Sequence, residues 1–153
     1  MIQFFLMVNK HGQTRLANYF DRVEGRTVEQ RAAQEAEIVR KCLSRKDNQC
    51  SFFEYSATGG EKKRIMYRRY ASLFFIVGTD DENELAILEF IHSFVETLDR
   101  YFENVCELDI MKNLEAVHFM LDEMVMNGCI VETNKQNIMA PIMLMDKYTS
   151  KGK

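Results

Sequence analysis

The sequence predicts an α+β domain, with a five-stranded, mainly antiparallel sheet flanked by helices and additional helices at the C-terminal end. Short β-prone runs fall into two groups, two before residue 20 and three between residues 51 and 77. Most neighbouring strands are joined by connections too short for a parallel crossover, which forces antiparallel pairing. Longer stretches with apolar residues at helical spacing fill the rest, giving the order ββ-α-βββ-αα.

Ile2 to Asn9 and Thr14 to Tyr19 read as two strands joined by Lys10-His11-Gly12-Gln13, with Gly12 supplying a positive φ. Thr27 followed by Gln30 is a capping-box pattern, and Val28, Ala32, Ala36, Val39 and Leu43 then recur at helical spacing, predicting an amphipathic helix against the hairpin's sheet. Ser51 to Tyr55, Arg64 to Tyr70 and Ser72 to Val77 make a meander, its first turn at Ala57-Thr58-Gly59-Gly60-Glu61.

Asp81 with Glu84 opens a second helix. Leu85, Leu88, Ile91, Val95, Leu98 and Phe102 form its stripe, and Phe90, Phe94 and Tyr101 widen it, so the helix must be buried on more than one side. A third helix from Asp109 turns Ile110, Leu114, Val117, Leu121, Met124 and Val125 inward and stops at Asn127-Gly128. Cys129 to Thr133 is extended. Asn134 to Tyr148 reads as one or two short helical turns interrupted at Pro141. A single domain over residues 1–148 is expected, with a polar tail at 149–153.

The chain is long enough, at 153 residues, to bury a core without disulfides or a structural metal. A net charge of -3, with both signs mixed along the sequence, disfavours nucleic acid as the main partner. The longest apolar runs, such as Leu73 to Gly78, are far too short to span a bilayer. Met1 to Asn9 lacks the basic leader and small-residue cleavage site of a signal peptide and reads as a strand. Cys42, Cys50, Cys106 and Cys129 have no C-x-x-C spacing, and reduced, buried thiols of a cytosolic protein are the simplest account. Of the ten methionines most follow residue 110, at a spacing that suits core as well as an adaptable binding surface.

Catalytic chemistry finds no support. The cysteines could in principle meet His11, His92 or His118, but no nucleophile signature surrounds any of them, and His92 and His118 sit where structural histidines are expected. No His or Cys pair stands at a metal-ligating spacing, so neither metal nor cofactor is expected. Gly59-Gly60 lacks the phosphate-loop frame and reads as a hairpin turn. Asp80-Asp81-Glu82 lies at a helix start, where negative charge suits the helix dipole.

The segments from Tyr67 to Phe75, Glu89 to Glu96 and Asn104 to Asp109 resemble the sigma small chains of the heterotetrameric clathrin-adaptor complexes. The resemblance runs from Met1 through Asp146 and takes in Asn9, Gly12, Thr14, Arg15 and Leu16 of the hairpin and Leu121-Asp122-Glu123-Met124. Asn127 to Asn134, Leu6 to Lys10 and Glu107 to Met111 look most like the sigma chain of the fourth complex, the trans-Golgi type that works without clathrin. The resemblance implies a longin-like fold and no enzymatic activity. It implies one large adaptor chain in direct contact, and a second large chain and a medium chain in the same assembly. It further implies a cytoplasmic location, peripheral on the trans-Golgi network and coated vesicles.

Sigma chains of this family bind acidic dileucine signals, [DE]-x-x-x-L-[LI], on cytosolic tails of membrane cargo. The positions that match the family's leucine pocket are Ala71, Leu73, Val95, Val105, Leu108 and Ile110, with Asn104 beside them for the peptide backbone. Arg15 matches the residue for the acidic position, shared with basic groups of the large chain. Taken by themselves, Val95, Leu108 and Ile110 would look the same as plain core, and Arg15 the same as an exposed strand arginine. Two departures stand out: Lys112 replaces the usual aromatic just after the pocket segment, and the Ala57 to Lys63 turn is longer than the family's hairpin. Longin-like folds also occur in SNARE regulators and tethering-complex subunits, which is the alternative reading. A small Cys-dependent hydrolase is a third.

Overall fold

In the computed structural model, residues 2–20, 27–46, 52–56, 62–80, 83–103, 105–126, 129–130 and 135–151 are described. A five-stranded sheet in the order β2-β1-β5-β4-β3 is built from β1 (Ile2–Asn9), β2 (Thr14–Tyr19), β3 (Phe52–Ser56), β4 (Lys62–Tyr70) and β5 (Leu73–Thr79), and every pairing in it is antiparallel. The helices α1 (Val28–Ser44) and α2 (Glu84–Phe102) cover its two faces. β1 lies inside the sheet and is apolar on both sides: Phe4, Leu6 and Val8 join the α1 cluster, while Phe5 and Met7 join the α2 cluster. The period-2 alternation of a strand splits one continuous apolar run between two cores.

The opening hairpin and the α1 capping box form as the sequence predicts, with Gly12 at φ 85° and Thr27 and Gln30 bonding reciprocally. The α1 stripe is displaced, however. Ile38, Val39 and Cys42 are buried, whereas Ala32 and Ala36 are exposed and Val28 is 84% exposed. Alanines mark helical spacing but gain little from burial, so the larger Ile38 and Cys42, one turn apart, set the orientation.

On α2 the buried set is Ile87, Phe90, Ile91, Phe94, Val95, Thr97 and Leu98, and Leu85 is exposed. Phe94 is central, its ring 5.0 Å from that of Phe5 and 6.3 Å from that of Phe75. The helix is capped by Asn83, whose side chain accepts from the Ala86 N–H, rather than by an Asp81 and Glu84 pair; Asp81 lies outside the described residues.

The expected third helix is two helices, α3 (Glu107–Lys112) and α4 (Leu114–Met124), divided at Asn113 with φ -129° and ψ 41°. With the break, α3 buries Ile110 and α4 buries Val117, Met120, Leu121 and Met124 in the same apolar cluster, leaving Leu114 exposed; Val125 leaves the helix to begin the two-stranded pair β6 (Val125–Met126) and β7 (Cys129–Ile130). The Asn127-Gly128 stop, the Ala57 to Glu61 turn and residues 131–134 lie outside the described residues. Near the end, α5 (Lys135–Lys151) is one helix that carries Pro141 inside it and runs on into the polar tail. Proline weakens a helix interior, but Met139 and Ile142, both buried, flank it, so packing keeps the helix continuous.

Candidate functional site

The ends of three elements meet at one edge of the α2 face. Asn9 at the end of β1 pairs with Leu73 at the start of β5, which in turn pairs with Tyr70 at the end of β4. The β4–β5 hairpin turns on Ala71, a non-glycine residue at φ 55°. Left-handed backbone costs such a residue on the order of 1 kcal/mol, and a bulky or β-branched side chain would fare worse. Leu73 is buried (1% exposed). From the α2 side come Val95 and, past the helix end, Val105; from α3 comes Ile110, and all four belong to one apolar cluster.

Two polar devices fix this edge. Asp99, one turn beyond Val95, accepts a hydrogen bond from the Tyr70 hydroxyl through Oδ2, and from the Val105 N–H through Oδ1 at 3.0 Å. It therefore ties the β4–β5 turn to the loop entering α3. Its acceptor on the phenol pushes Tyr70's ionisation up. The second device is Glu107 at the start of α3, whose Oε1 receives Asn9 Nδ2 at 3.0 Å and Arg15 Nε at 2.6 Å. Asn9 and Arg15 together hold that carboxyl below its usual range, Asn9 contributing most. Asn9 Oδ1 also accepts the His11 and Gln13 N–H groups, so the hairpin turn, β2 and α3 share one polar knot.

Of the sequence-predicted site residues, Leu73, Val95, Val105 and Ile110 come together as buried side chains, while Ala71 is exposed on its turn and Leu108 is 62% exposed. Arg15 sits at the rim, its side chain 26% exposed. Asn104 lies outside the described residues. Asn9, Tyr70, Asp99 and Glu107 are not among the site residues expected from the sequence, although Asn9, Tyr70 and Glu107 lie within the segments that resemble the family. A pairing between residues 92 apart, as for Arg15 and Glu107, has no local signature.

The thiols divide. Cys42 is buried, and desolvation pushes its pKa up to about 12. Contrary to expectation, Cys106 is exposed: its N–H and Sγ both reach Asp109 Oδ2, at 3.1 and 3.2 Å, because it serves as the N-terminal flank of α3 rather than as core. His92 is exposed and pairs with Glu96 at 2.6 Å one turn on. Among the described residues no three His, Cys, Asp or Glu side chains cluster as metal ligands, and no helix is long and apolar enough to cross a membrane. An open groove of about 690 Å³ runs beside α3, α4 and α5, lined by Met111, Lys112, Leu114, Phe119 and Met145. The Tyr101–Asp146 hydrogen bond of 2.6 Å closes one side of it, with burial and that carboxylate pushing the phenol's pKa up to about 12.

An antiparallel five-stranded sheet between α1 and α2, extended by α3 to α5, defines a longin-like small chain. The sequence matches the family described as "Clathrin adaptor complex small chain" over residues 1–149, and the protein belongs to that family. It is 67% identical to "AP-4 complex subunit sigma" of Arabidopsis thaliana, over 95% of this chain and 97% of that one. It is 55% identical to "AP-4 complex subunit sigma-1" of Homo sapiens, over 97% and 99%. A chain described within a "Homology model of the full-length AP-3 complex in a stretched open conformation" superposes with a TM-score of 0.74 at 31% identity, covering 99% of this chain and 97% of that one. Small chains of this family are trafficking subunits of adaptor complexes, not enzymes.

Proposed function

We propose that this chain is the sigma subunit of an adaptor complex of the fourth type, and that it helps to recognise acidic dileucine signals on the cytosolic tails of membrane cargo at the trans-Golgi network. The names of the relatives support the complex type. The observation that carries the cargo reading is that Leu73, Val95, Val105 and Ile110 all belong to the apolar core on the α2 face, with Leu108 exposed on α3 and Arg15 bonded to Glu107, the chain neighbour of Leu108. Two leucines gain most from a dry apolar cleft, and the Arg15 guanidinium suits a carboxylate a few residues upstream of them in the signal. Because all four side chains are buried here, a signal must displace part of the packing around them.

In this reading a large adaptor chain covers exposed apolar surface, which includes Leu85, Met111, Met143, Leu144 and Met145. The subunit reaches the membrane through the assembly rather than through a span of its own. Binding of a fluorescent [DE]-x-x-x-L-[LI] peptide to the co-purified complex tests the proposal. Saturable binding that is lost when both leucines become alanine supports it, and equal binding of the two peptides refutes it.

A further inference from the structure

We propose that Glu107 is a specificity-determining residue of this cleft, an internal carboxylate that occupies Arg15 and so lowers the preference for an acidic over an uncharged polar residue upstream of the leucines. The inference rests on the dileucine reading above and concerns the chemistry of its acidic subsite. Arg15 donates from Nε to Glu107 Oε1 at 2.6 Å and from Nη2 to Gln13 Oε1 at 3.0 Å. Asn9 Nδ2 donates to those same two oxygens, at 3.0 Å each. Glu107 is thus clamped by two donors from the β1–β2 hairpin, and both hold it in its charged form.

A guanidinium carries five N–H donors, and these contacts use its Nε edge and one Nη2 hydrogen. Among the described residues the structure gives the other three no acceptor, and the side chain remains 26% exposed. An incoming peptide therefore meets a donor edge whose positive charge is already balanced from behind. A carboxylate oxygen and an amide oxygen can each accept from that edge, but the carboxylate also feels Glu107 across the shared guanidinium. Like charges around one cation offset its attraction.

The test uses the complex co-purified with its large and medium chains and two peptides that differ only in Glu or Gln at the first signal position. Fluorescence anisotropy gives the ratio of their affinities. Glu107→Gln keeps an Oε1 acceptor for Arg15 and Asn9 while removing the charge. It should raise the Glu-over-Gln ratio by about three- to fivefold at low salt, with the gain fading at high salt. Glu107→Asp, which keeps the charge, should move the ratio less than half as far, and Arg15→Gln should abolish the gain in the double variant. Assembly of each is checked by gel filtration. A ratio that Glu107→Gln leaves as in the parent, or that Glu107→Asp shifts equally, overturns the inference while leucine-dependent binding by the parent keeps the cleft reading intact. A parent complex that binds neither peptide better than a double-alanine version overturns both.

Discussion

Val95→Asp separates cargo binding from assembly. Val95 is 7% exposed, whereas its neighbours in the cluster Ile110 and Leu98 are at 0%, so a carboxylate placed there can turn toward the rim instead of breaking the core. With two leucines docked over it, that escape is closed. An unpaired charge in a dry cleft costs about 2–5 kcal/mol, and at 1.4 kcal/mol per decade the affinity should fall roughly thirtyfold to a few thousandfold. Anisotropy with an acidic dileucine peptide, on complex shown intact by gel filtration, reads this directly. Ile110→Asp, by contrast, has no rim to turn to and should block assembly. A Val95→Asp complex that assembles and binds peptide like the parent refutes the assignment and reduces the chain's part to holding the assembly together.

Gly78 faces the Phe4 ring, where an added Cβ would lie 2.2 Å from a ring carbon; Gly78→Ala should cost about 1–3 kcal/mol and lower the yield of soluble complex, and Phe4→Leu in the same chain should restore part of it. Equal yields for parent and single variant would count against the packing described. Thiol labelling at pH 8, resolved by mass spectrometry, should modify Cys106 long before Cys42, because a pKa of about 12 leaves Cys42 only roughly one part in ten thousand thiolate, while Cys106→Ser should leave peptide binding intact. Faster labelling of Cys42, or loss of sorting in an assembled Cys106→Ser complex, would reopen a catalytic role for a thiol. The isolated chain, with Leu85, Leu144 and Met145 more than half exposed, should self-associate unless co-expressed with a large adaptor chain. A stable monomer would argue against that covered surface.

The strands were legible because β-prone runs, short connections and the Gly12 turn are local signals, and the Thr27 capping box fixed the start of α1. The helix faces were less so. Counting alanines as apolar rotated the α1 stripe away from Ile38 and Cys42, and the break at Asn113 carries no proline or glycine to announce it. Pro141 misled in the opposite direction, since a helix packed through Met139 and Ile142 tolerates it. At the candidate site, the family resemblance supplied the apolar residues, but the polar groups that hold them were hidden. Asp99 bridges Tyr70 and Val105, and Glu107 bridges Asn9 and Arg15, through partners brought together only by the sheet register and the turn into α3.

The most direct measurement places the leucines themselves. An acidic dileucine peptide carrying photo-leucine at either leucine position, irradiated with the co-purified complex and mapped by mass spectrometry, should crosslink to this chain within residues 71–73, around Val95, and within residues 105–110, and excess unlabelled peptide should compete. Crosslinks that fall on another subunit, or on this chain only along the Met111 and Met145 groove, would contradict the assignment of the cleft.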